Sequence, residues 1–272
     1  MIKKFADKTP IVFSLVTTIF VLAVVSIAQF SFAALFGVDM TNPVHNANFF
    51  TSSIITKIIF SAVVMLILVA LKMSYVNNPL KGRFFKGLGL GWLCYIGMIL
   101  TFVLFFDFSS AGSIEQSKWL LLIPIFIETL LAGVSEELMC RGILYNVINN
   151  KYKNVHVAVL LSSAVFGIVH FVNLVNQSFA DTVLQVLFAF CGGVFFAAIY
   201  ARCKTVWPGV LLHGLENFAH YAGNTLTPFK IVNENWLAIF MIVYAVALIC
   251  FGLFLIRKKK MAECSEGCLK IN

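Results

Sequence analysis

Residues 11–36 run without one charged side chain. That is longer than the roughly 20 apolar residues a helix needs to cross a bilayer. In hydrocarbon every backbone N–H and C=O must be satisfied internally, so an isolated run of this kind can only be a helix. The rest of the chain repeats the pattern. Of 272 residues, 60% are hydrophobic and 12% charged, and mean hydropathy is +0.93, too apolar for a soluble domain of this length.

Eight spans are expected, at 11–36, 54–71, 88–106, 119–148, 155–172, 183–201, 206–221 and 236–256. The predicted fold class is all-α, a polytopic membrane bundle. The first run exceeds the apolar core of a signal peptide and lacks a convincing cleavage site, so it is expected to be retained. Alternate loops carry the basic residues. Lys3, Lys4, Lys8, Lys72, Lys81, Arg83, Lys86, Lys151, Lys153, Arg202, Lys204, the run 257–260 and Lys270 fall on one side; only Lys118 and Lys230 fall on the other. This asymmetry puts both termini in the cytoplasm and accounts for the net charge of +8 without nucleic acid as a partner.

The seven cysteines show no disulfide framework. Cys94, Cys140, Cys191, Cys203 and Cys250 read as small packing residues. Cys264 and Cys268 form a lone C-x3-C in a short polar tail. No repeat, linker or second domain is evident.

Against this background three charges stand out. Glu136, Glu137 and Arg141 interrupt the fourth run. Each costs on the order of 3 kcal/mol at the centre of a membrane helix, and ionisable groups retained there mark a functional site. Glu137 and Arg141 are four apart and share a helix face. They are expected to form a structural ion pair. Glu136 points about 100° away and has only Cys140 one turn on, with no local cation. A carboxylate left free in this way is the better general base. Glu128, two turns earlier, either extends the site or faces the outer water layer.

His170 follows Phe166 by four residues near the end of the fifth run. His213 precedes Asn217 by four, which puts both on one helix face where they can donate to a single oxygen. Pro208 suits the start of that helix, with Thr205 as a possible cap. His45 and His156 are expected to be solvated. His220 is set aside, and Glu216 either pairs or lines a cavity.

E-E-x-x-x-R (Glu136, Glu137, Arg141), F-x-x-x-H (Phe166, His170) and H-x-x-x-N (His213, Asn217) follow one another on successive spans. Together they resemble the CPBP family of intramembrane endopeptidases, the CAAX proteases and bacteriocin-processing enzymes also called Abi. The Trp207–Pro208 lead-in is similar too. The resemblance covers about 121–222, a catalytic core between N-terminal helices at 1–120 and a last helix with a basic tail at 223–272. It implies that Glu136 and His170 hold and activate a water, that His213 and Asn217 stabilise the oxyanion, and that Glu137, Arg141 and Phe166 support the site.

The family is often labelled metalloprotease, and Glu136, His170 and His213 are plausible Zn2+ ligands. A zinc site would need them to converge at about 2.0–2.2 Å from one point. The metal-free glutamate mechanism is the expectation, with no cofactor. Gly192, Gly193, Gly167 and Gly214 could let helices approach closely or leave room for substrate.

Two other classes compete: a non-catalytic scaffold or bacteriocin-immunity partner, and a proton-coupled transporter. The oxyanion-type donors beside the carboxylates, and the lack of an internal repeat with paired broken helices, favour the protease. Eukaryotic members of the family process prenylated C-termini. This chain reads as a bacterial plasma-membrane protein, so the expected substrate is a membrane-associated peptide or small membrane protein.

Overall fold

A computed structural model describes residues 1–40, 46–73, 83–106, 112–226, 234–257 and 261. His45, Lys81, Lys230, Cys264, Cys268, Lys270 and most of the tail lie outside the described residues. The described chain is helical, with no strand. In order it forms α1 (Ile2–Lys8), α2 (Pro10–Leu35), α3 (Ala47–Ala70), α4 (Phe84–Leu90), α5 (Trp92–Phe105), α6 (Gln116–Leu120) and α7 (Leu122–Glu137). A π-helical segment, Leu138–Tyr145, leads into α8 (Asn146–Tyr152). Then come α9 (Val155–Ile168), a 3-10 segment (Val169–Val175), α10 (Phe179–Cys203), α11 (Trp207–Leu226) and α12 (Glu234–Leu255).

Among the described residues five helices are long and apolar enough to cross a membrane: Pro10–Leu35, Ala47–Ala70, Gln116–Tyr152, Val155–Val175 and Phe179–Cys203. A sixth is added if Phe84–Leu90 and Trp92–Thr101, which meet at a 51° bend, count as one span. The expected third span at 88–106 is therefore not one straight helix. Among the described residues, five or six helices meet this test of length and composition, against the eight spans expected from hydropathy. The expected seventh span lies within α11, where His213, Glu216, Asn217, His220 and Asn224 dilute the apolar character.

Polar side chains cap the starts of α3, α9 and α10. Asn46 Oδ1 accepts from Phe49 N at 3.1 Å at the start of α3. Asn154 Oδ1 accepts from His156 N at 3.0 Å and Val157 N at 3.3 Å at the start of α9. Ser178 Oγ accepts from Asp181 N at 3.2 Å at the start of α10. Each satisfies N–H groups that the first turn leaves without an intrahelical partner. Thr205 does not cap α11. Its buried hydroxyl has no hydrogen-bond partner among the described residues.

The interior is largely hydrophobic, but it also takes in polar and charged side chains while many large apolar ones face outward. On α7 the buried positions include Glu128, Thr129, Ser135 and Glu137, whereas Ile123, Phe126 and Ile127 are exposed. In lipid an outward leucine or isoleucine costs nothing, and a charge needs a partner in the interior. Helix α7 packs between α3 and α11, and α10 between α9 and α12. Two polar contacts link α3 to α7: Ser53 Oγ donates to Glu128 Oε1 at 2.9 Å, and Lys57 Nζ to Glu136 Oε1 at 3.2 Å. Partners follow the same order along both helices, so α3 and α7 run in the same direction.

Candidate active site

Glycine fixes the crossing of α7 and α11. A Cβ on Gly133 would meet the Val210 carbonyl oxygen at 2.5 Å, and one on Gly214 would lie 3.1 Å from Leu130 Cα. A Cβ on Gly209 would sit 2.9 Å from Glu137 Oε2. Without side chains at these points the backbones approach closely, and the crossing brings His213 against the glutamates. Gly193 and Gly167 do the same between α10 and α9, where a Cβ would meet Ser163 Cβ at 3.0 Å and Val186 O at 2.9 Å. Gly192 has nothing within 4 Å and does not serve a helix contact.

The Glu137–Arg141 pair forms as its spacing requires, with Arg141 Nη1 donating to Glu137 Oε1 at 2.8 Å. Both side chains are 1% exposed. Arg141 also donates from Nη2 to the Gly193 carbonyl at 2.8 Å, tying the π-helical segment to α10. Its guanidinium carbon lies 5.0 Å from the Phe166 ring centroid and 5.8 Å from that of Phe196. The positive charge is thus held by one carboxylate, one carbonyl and two aromatic faces. The π-helical turns occur here, and Asn146 Nδ2 donates to the Arg141 and Gly142 carbonyls at 2.9 and 3.0 Å, meeting acceptors in that widened stretch.

Glu137 does more than pair. His213 Nδ1 lies 3.2 Å from Glu137 Oε1, and because a carboxylate only accepts, Nδ1 carries the proton. The other ring nitrogen, Nε2, faces Glu136 Oε2 at 3.8 Å. Phe196 stacks on the His213 ring, with centroids 5.6 Å apart and planes 15° apart, and Phe166 meets it edge-on at 5.8 Å. His213 is held by α7, α9 and α10 together. With Nδ1–H committed to Glu137, the ring can donate from Nε2 only when doubly protonated.

His170 lies just past α9, in the 3-10 segment. Its Nδ1 is 2.8 Å from the Phe166 carbonyl, so Nδ1 donates and Nε2 of the neutral ring is left as an acceptor. Phe166 also packs edge-on against this ring, with centroids at 5.1 Å. His170 is half-buried and forms no ion pair with Glu136 among the described residues. Asn217 is half-buried on α11, one turn beyond His213 on the same side.

Glu136 is not without a cation. Lys57 Nζ of α3 sits 3.2 Å from Oε1, with the two side chains 22% and 21% exposed. Spacing within one helix cannot register a partner from another. Lys57 escaped the sequence reading because basic residues were assigned to loops, yet a lysine inside an apolar run is the same signal as Glu136 itself. Phe196 was also missed, and one phenylalanine among 28 carries no signal.

The remaining candidates divide. Glu128 is buried and hydrogen-bonded to Ser53, so it does not face the outer water layer. Glu216 pairs with Tyr244 of α12, whose hydroxyl donates to Glu216 Oε1 and to the Leu93 carbonyl at 3.3 Å. His156 is exposed. Among the described residues no three His, Cys, Asp or Glu side chains are grouped as a metal ion requires. Glu136 faces an ammonium, and His213 presents its nitrogens to two different glutamates. As they stand, these side chains do not fit a zinc site.

Residues 118–219 match the family model described as type II CAAX prenyl endopeptidase Rce1-like. The resemblance to the CPBP family therefore holds over a segment containing Glu136, Glu137, Arg141, Phe166, His170, His213 and Asn217. No curated protein and no solved structure matches the chain.

Proposed function

We propose that the chain is an intramembrane endopeptidase that hydrolyses a peptide bond in a membrane-associated peptide or small membrane protein. The observation that carries this reading is the position of Glu136. Its carboxylate lies inside the bundle beside His213, 3.8 Å from Nε2, within the segment matched by the CAAX endopeptidase model.

In this mechanism a water sits between Glu136 and Nε2 of His170, which is free to accept its hydrogen bond. Glu136 takes a proton from the water as its oxygen bonds to the scissile carbonyl carbon, and the carbonyl π electrons move to oxygen. His213, donating from Nε2, and Asn217, donating from its amide, stabilise that oxyanion. Collapse of the tetrahedral intermediate breaks the C–N bond, and the proton on Glu136 passes to the leaving amine. Glu137 and Arg141 hold His213 and α10 in register. The mechanism uses no metal or other cofactor.

On this reading the catalytic core is residues 121–222, preceded by N-terminal helices in 1–120 and followed by the last helix and a basic tail in 223–272. Eight spans with both termini in the cytoplasm fit the basic-loop asymmetry, with α3 and α7 as second and fourth spans. Their common direction is consistent with that alternation. A bacterial plasma membrane fits the same reading, with a bacteriocin or signalling-peptide precursor as the class of substrate.

Mass spectrometry of membrane and secreted peptides tests this, comparing cells that carry the wild type, a deletion or Glu136→Gln. A defined product should vanish in both altered strains. If Glu136→Gln behaves as wild type while the deletion does not, the protein acts as a scaffold rather than a protease.

A further inference from the structure

Lys57 lies ten residues after the start of α3, roughly 15 Å from its nearer end at 1.5 Å per residue. That is too deep for its side chain to reach the interface by snorkelling. An ammonium at such depth needs an internal partner, and the partner it has is Glu136 Oε1 at 3.2 Å.

The contact is directional. Lys57 takes one carboxylate oxygen, Oε1, and the other, Oε2, is turned toward Nε2 of His213. A glutamate has three rotatable side-chain bonds, and the residues four before and four after Glu136, Ala132 and Cys140, offer it no cation. Binding Oε1 from a different helix fixes the plane of the carboxylate. One turn earlier on the same face of α3, Ser53 Oγ donates to Glu128 Oε1 at 2.9 Å, which keeps α3 seated on α7. Glu128 and Tyr221 also act electrostatically on Lys57. Helix α3 lies outside residues 118–219, so this cation reaches the site from beyond the segment that carries the family's motifs.

We infer that Lys57 is a positioning residue for the hydrolysis, holding Glu136 through Oε1 so that Oε2 faces the water and the scissile carbonyl. The inference rests on the protease reading and adds to it that the N-terminal helices complete the active site. Orientation of this kind acts on turnover. A general base displaced by about 1 Å loses up to a hundredfold in rate, whereas substrate contacts elsewhere are untouched.

The test uses the full chain in proteoliposomes, with the best-cleaved member of an internally quenched fluorescent peptide library as probe. Wild type, Glu136→Gln, Lys57→Met and Lys57→Arg are compared for kcat, KM and Tm. Lys57→Met should lower kcat by about tenfold to a hundredfold with KM within about twofold. Lys57→Arg, which keeps a cationic donor, should recover part of the loss. Wild-type kcat in Lys57→Met would overturn the inference, as would a loss confined to KM or equal losses in the Met and Arg variants. Tm separates a rate effect from loss of the fold: kcat falling only in step with a large drop in Tm would also overturn it. If the wild type cleaves no library member, or Glu136→Gln cleaves as well as wild type, the protease reading fails, and the role of Lys57 in hydrolysis falls with it.

Discussion

Glu137 binds His213 through Oε1, the same carboxylate oxygen that accepts from Arg141. One buried oxygen therefore serves an ion pair and sets the orientation of a histidine on another helix. Removing the carboxylate leaves Arg141 charged and half-unpaired in the interior. For Glu137→Ala the expected destabilisation is about 3–5 kcal/mol, read as a drop in Tm in detergent. Activity should fall with it, because Nδ1 of His213 loses its acceptor.

Arg141→Lys should not be conservative. An ammonium cannot reach both Glu137 and the Gly193 carbonyl while lying over Phe166 and Phe196, as the guanidinium does. Lower Tm than wild type is expected, with an increase in limited proteolysis of the α8–α10 region. A Tm equal to wild type would show that the three contacts beyond Glu137 contribute nothing.

The crossing of α7 and α11 has a built-in control. Gly133→Ala places a methyl at 2.5 Å from the Val210 carbonyl oxygen, against backbone that cannot swing aside. It should cost about 1–3 kcal/mol and shift His213 away from Glu136, lowering turnover. Gly192→Ala, with open space around its Cβ, should leave Tm and turnover near wild type. Parallel Tm and cleavage assays of the two variants check this.

His213→Ala and Asn217→Ala are each expected to lower kcat by about 10²–10³-fold with a smaller change in KM, since both donors act on charge that develops only in the transition state. Because His213 is also held by Glu137, its replacement should lower Tm, and that of half-buried Asn217 should not. Steady-state kinetics alongside Tm separates the two.

Much of this was legible in one dimension. A charge inside an apolar run is expensive wherever it occurs, so Glu136, Glu137 and Arg141 announced themselves, and four-residue spacing correctly paired Glu137 with Arg141. What spacing cannot reach is another helix. Lys57 meets Glu136, Ser53 meets Glu128, and Phe196 covers His213 only because α3, α7, α10 and α11 pack together. The glycine contacts show the same limit: nothing in the sequence marks Gly133, the closest approach around the site, or Gly209 against Glu137, whereas Gly192, expected to serve a contact, makes none. Thr205, a possible cap by position, does not cap because its hydroxyl is buried with no partner among the described residues.

In the proposed mechanism Glu136 activates the water that cleaves the peptide bond. Reconstituted wild type and Glu136→Gln, supplied with a cleaved probe peptide in water enriched in oxygen-18, test it most directly. Heavy oxygen is expected in the new C-terminal carboxylate with wild type, and a product rate about 10²–10⁴-fold lower with Glu136→Gln. The same labelled product at an equal rate from both proteins would contradict it.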